Sequence, residues 1–119
     1  MVKDRITDGK RIGQLLASEL SGRENGPLAA VSVTNAEPDV TPTAEGVFAF
    51  DVEADGRLIG AVSITPGAAR FELDERVEAE IGRDRDDVTI EQHGDSTVVV
   101  AHSGAATKVV VDVVAAQLR

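Results

Sequence analysis

The sequence has no cysteine, tryptophan or tyrosine, only three phenylalanines, and only three lysines among its twelve basic residues. The lack of cysteine excludes disulfides, thiolate metal ligands and a cysteine nucleophile together. With so few aromatics, the core must be built from Val, Ala, Ile and Leu, and a 42% apolar content is enough for one. No apolar run approaches the ~20 residues that a membrane-spanning helix needs. The opening Met1-Val2-Lys3-Asp4-Arg5 also lacks the apolar stretch of a signal peptide. These absences predict a soluble, cytoplasmic protein with no membrane partner. A formal charge of −9 argues against a nucleic-acid partner, since that affinity rests on Lys and Arg neutralising phosphates.

What is present fits a single domain over residues 1–119. Thr7 suits a helix N-cap, with Asp8 at the first helical position near the positive end of the dipole. Ile12, Leu15, Leu16 and Leu20 then recur at helical spacing, and Ser21-Gly22 supplies the stop. Residues 22–27 read as a loop, and Leu28 to Thr34 as a strand with Val31 and Val33 on one face. Asn35 to Gly46 has prolines, acidic residues and no apolar period, so it is expected to be a flexible acidic loop.

The best-specified stretch runs from Val47 to Leu73 and reads as three strands joined by two tight turns. A three-residue loop Ala54-Asp55-Gly56 would set Glu53 opposite Arg57, Val52 opposite Leu58, Phe50 opposite Gly60 and Phe48 opposite Val62. A turn on Pro66-Gly67, for which the dipeptide favours type II, would set Thr65 opposite Ala68, Ile64 opposite Ala69, Val62 opposite Phe71 and Gly60 opposite Leu73. One face is then apolar throughout and the other carries Asp51, Glu53, Arg57, Ser63, Arg70 and Glu72.

Asp74 suits the cap of a short helix, Glu75 to Ile81, ended by Gly82. Val88 to His93 and Ser96 to His102 form a hairpin around Gly94-Asp95, a type II′ candidate. Ala105 to Leu118 is ambiguous. Its valine run favours a strand, whereas Ser103 as a cap, the Lys108/Asp112 pair and the Ala115-Ala116-Gln117-Leu118 ending favour the helix adopted here. The predicted fold is α+β, an antiparallel sheet of about six strands with helices on one face, in the order α-β-β-β-β-α-β-β-α.

The segment Asp4-Arg5-Ile6-Thr7-Asp8-Gly9-Lys10-Arg11-Ile12, running on to Leu16-Ala17-Ser18-Glu19, resembles the start of small acidic proteins of halophilic archaea. The Asp39/Pro42/Gly46 loop before Phe48-Ala49-Phe50 is similar as well. That uncharacterised family has no activity to carry over. The resemblance implies a salt-adapted cytosol, where screening suppresses the self-repulsion of a large net charge.

Few residues suggest chemistry. His93 and His102 would lie roughly 20 Å apart along one strand at ~3.3 Å per residue, too far to share an ion, and read as surface residues. The segment His102-Ser103-Gly104-Ala105-Ala106-Thr107-Lys108 could hold an anion if a helix begins there, through Ser103, Gly104, Thr107 and Lys108. The blander reading is that Ser103 only caps the helix. The spacing is not that of a phosphate-binding P-loop, and a Ser103/His102 nucleophile pair is opposed by strand geometry. Acidic clusters at Asp84-Arg85-Asp86-Asp87 and Glu75/Glu78/Glu80 lack the spacing of a calcium loop. No metal, cofactor or catalytic residue is therefore expected.

The expected function is a non-enzymatic protein-binding or structural module that self-associates, as a homodimer, or meets a protein partner. The apolar Val98-Val99-Val100 strand and the Val-rich last helix suggest more oily surface than one domain covers. One alternative is a chaperone-like client binder, by analogy to small acidic dimeric secretion chaperones of similar element order. The other is an enzyme or anion binder using the 102–108 turn.

Overall fold

The computed structural model describes residues 8–21, 27–37, 39–74 and 86–117. The first helix, α1 (Gly9–Leu20), begins one residue later than its sequence suggests. Asp8 is the N-cap: its carboxylate accepts the Lys10 N–H at 3.0 Å and its carbonyl accepts the Ile12 N–H. Ile12, Leu16 and Leu20 form the buried stripe, with Leu15 half-buried beside it. Ser21 ends the helix, donating its N–H to Ala17. Thr7 and Gly22 lie outside the described residues, as does the predicted helix over 75–81.

Leu28 to Ala30 are not strand. A 3₁₀ turn, Pro27–Ala30, precedes β1 (Val31–Thr34), and proline's fixed φ and missing N–H suit the start of such a turn. The remaining strands are β2 (Val47–Ala54), β3 (Arg57–Thr65), β4 (Ala68–Leu73), β5 (Val88–His93) and β6 (Ser96–Ala101). They form one sheet in the order β1-β2-β3-β4-β6-β5, with every neighbouring pair antiparallel. This is the predicted α+β fold, with its helices on one face.

The β3–β4 hairpin has the predicted register, pair by pair, from Thr65 opposite Ala68 to Gly60 opposite Leu73. Its turn is not type II, because Gly67 has no positive φ. Types I and II differ by a flip of the central peptide, and here the Pro66 carbonyl accepts the Gly9 N–H of α1 at 2.9 Å. The docked helix thus decides which way that peptide points. Gly9 is the residue that allows it, since a Cβ there would lie 1.7 Å from the Thr65 carbonyl oxygen.

The β2–β3 hairpin departs from its predicted register. Asp55 and Gly56 both have positive φ, 53° and 78°, which makes a two-residue type I′ turn with Ala54 opposite Arg57. Bulges at Ile59 and Ala49 then shift the pairing twice, so Val52 faces Gly60 and Phe50 faces Val62. Each bulge also moves side chains between faces. Leu58 and Phe48 turn outward, 52% and 38% exposed, while Ile59 and Ala49 are buried. Gly60 lies between Val52 and Leu73, and a Cβ on it would come within 2.8 Å of the Phe71 ring.

The β5–β6 turn fits type II′, with Gly94 at φ 63° and His93 opposite Ser96. The last helix, α2, spans Thr107–Gln117 despite its valines. Val109, Val110, Val113 and Val114 are each at most 5% exposed, so packing outweighs strand propensity. Val98 and Val99 are similarly buried, so the chain itself covers most of the apolar surface that had suggested a dimer. The helix α1 packs on β1, β3 and β4, and α2 packs on β6 and against α1.

Candidate functional site

The bulge at Ala49 shapes an open part of the inner face. An ordinary strand buries alternate residues, but Ala49 and Phe50 are consecutive and both buried. Ala49 has no partner in the ladder to β3, and its carbonyl accepts the Glu37 N–H at 2.8 Å. That bond draws the 35–46 loop across the start of β2. Further ties hold the loop in place: Asn35 Nδ2 donates to Asp51 Oδ2 at 2.8 Å, and the Gly46 N–H donates to Thr43 at 3.0 Å.

Between this loop and α1 lies a cleft of about 140 Å³. Ala49, Phe50 and Ile64 form its floor, Gly13 and Ala17 the helix wall, and Ala36 and Val40 the loop wall. Four of these seven residues are Gly or Ala, so the walls are low and the space stays unfilled. The remaining lining residues, Lys10, Gln14 and Glu37, carry the polar groups. Among the described residues, neither the Lys10 ammonium nor the Glu37 carboxylate has an ion-pair partner. The arrangement is an apolar chamber with one charge of each sign in its lining, neither of them paired with another described residue.

Sequence reasoning read 35–46 as a flexible acidic loop and missed the α1 wall. The available signal was Gly13 and Ala17, four residues apart on the buried side of an amphipathic helix. Knowing that Ala49 joins them required the bulge.

The 102–108 turn is put together differently. Ser103, 2% exposed, donates its hydroxyl to Asp87 Oδ2 at 2.7 Å and accepts the Ala106 N–H at 3.2 Å. The Thr107 hydroxyl donates to the Gly104 carbonyl at 2.7 Å. The N–H groups of Ala106, Thr107, Lys108 and Val109 each bond back to a carbonyl three residues earlier. Both hydroxyls and these four N–H groups are therefore engaged within the chain, and a carboxylate already sits on Ser103. Lys108 is exposed beside them.

The histidines lie at opposite ends of the β5–β6 hairpin, both exposed. His102 Nε2 is 3.0 Å from Thr89 Oγ1, and His93 Nε2 is 3.0 Å from Glu91 Oε1. Among the described residues, no three His, Asp or Glu side chains gather where they could hold a metal ion. Nor, among the described residues, is any helix long and apolar enough to cross a membrane.

A family model matches residues 1–119. The chain belongs to DUF7993, a family of unknown function. No curated protein and no solved structure matches it. Membership of DUF7993 brings no activity with it, so the functional reading has to rest on the cleft and the surfaces of this chain.

Proposed function

We propose that this chain is a non-enzymatic binding module whose cleft between α1 and the 35–46 loop receives a small apolar group. The observation that carries this is the bulge-built chamber of about 140 Å³, with Ala49 and Phe50 on its floor. An engineered apolar cavity of about 150 Å³ holds a benzene molecule, so a body of roughly six carbons suits this volume. The setting we propose is a salt-rich cytoplasm, on the strength of the −9 charge and the scarcity of lysine. The test is a titration of small apolar fragments followed by amide NMR. Shifts should centre on Gly13, Ala17 and Ala49 and vanish in Ala36→Leu, which fills the chamber from the loop side. Shifts that persist unchanged in that variant would place binding elsewhere.

A second reading is self-association through the outer face of the sheet, where Phe48 and Leu58 are the exposed large hydrophobics among the described residues. A homodimer of this kind should fall apart in Phe48→Ser/Leu58→Ser, as read by light scattering in molar salt. A client-binding chaperone role would use the same face. It predicts a stoichiometric partner retained from host lysate by the native chain and lost in that double variant.

A further inference from the structure

We propose, resting on the cleft reading, that the ligand is a free amino acid with an aliphatic side chain of leucine size. The chamber sets the body: a branched side chain of leucine size lies within the roughly six carbons that a volume of about 140 Å³ takes, in a lining that includes Phe50, Ile64 and Val40. The charges set the head. Lys10 lines the cleft from the helix, Glu37 from the loop, and neither is paired among the described residues. A carboxylate alone would meet Lys10 but also the repulsion of Glu37 and of a chain carrying −9 overall. An ammonium alone would leave Lys10 uncompensated. A zwitterion answers both, its carboxylate toward Lys10 and its ammonium toward Glu37, with Gln14 as a further hydrogen-bonding group in the same lining. Lys10 is one of only three lysines in the sequence.

The test compares four probes by calorimetry on the full chain: leucine; 4-methylpentanoate, which lacks the ammonium; 3-methylbutylamine, which lacks the carboxylate; and N-acetyl-leucinamide, which lacks both charges. Leucine should bind tightest, with each of the others about ten- to hundredfold weaker, the usual effect of losing a charged hydrogen bond. Lys10→Met should weaken leucine by a similar factor without weakening the amine, and Glu37→Gln should weaken leucine without weakening the carboxylate, since each variant removes a charge of the analogue's own sign. Equal binding of leucine and either singly charged analogue would overturn the proposal. N-acetyl-leucinamide binding as tightly as leucine would overturn it too and assign the cleft to a side chain of a partner protein. If none of the four binds while xenon still enters the chamber, the amino acid is wrong and the cleft reading stands. If xenon is also excluded, both fall.

Discussion

The two helices cover the same face of the sheet in different ways. Under α2 the space is filled by Val109, Val110, Val113 and Val114, each at most 5% exposed. Under α1 and its neighbouring loop, glycine and alanine leave a chamber of about 140 Å³. A β-branched side chain fixes χ1 and fills volume close to the backbone, so valines make a rigid, closed contact. Gly13, Ala17, Ala36 and Ala49 reach too short a distance to meet one another. One side of the layer is therefore committed to stability, and the other keeps a vacancy that packing alone would have closed.

Substitutions can sharpen that contrast or break it, and the largest effect should come from the sheet beneath both helices. Phe71, fully buried at the middle of the sheet, should cost about 3–5 kcal/mol on truncation to alanine, read by urea unfolding. Next comes Gly9→Ala. Helix propensity alone predicts a gain of about 1 kcal/mol, but the collision with the Thr65 carbonyl predicts a loss of about 1–3 kcal/mol. A stabilised Gly9→Ala protein would show that α1 is not docked on the β3–β4 turn. Ser103→Ala removes a buried partner of Asp87 and a cap of the α2 lead-in, at about 1–3 kcal/mol. The smallest pair is the most telling. Val113→Leu on the filled side should destabilise by about 1–3 kcal/mol through overpacking, whereas Ala36→Leu on the open side should stay within about 0.5 kcal/mol of the native chain. Equal losses from the two would erase the distinction.

Sequence reasoning read regular stretches well and failed where regularity broke. The β3–β4 register followed from the position of the Pro66-Gly67 turn and strict alternation, because Gly60, Val62 and Ile64 meet Leu73, Phe71 and Ala69 without interruption. In the β2–β3 pair, alternation gave the wrong faces for Phe48 and Leu58, since a bulge leaves no mark in a run such as Val47-Phe48-Ala49-Phe50 that is apolar at every position. The Pro66-Gly67 turn was misread for another reason: the flip of its central peptide is settled by Gly9, far away in sequence. The α2 helix was legible only by weighing its ends against its valines. The cleft followed the same pattern. Its loop was visible as a stretch without period, but the helix wall at Gly13 and Ala17 was missed and the floor depended on the Ala49 bulge.

The contrast between the filled and the open side is tested most directly by xenon, which enters dry apolar cavities. Amide spectra recorded under xenon pressure should shift at Gly13, Ala17, Ala49 and Ile64, and stay still from Val109 to Val114. Shifts concentrated along α2, or none at the four cleft residues, would contradict the account.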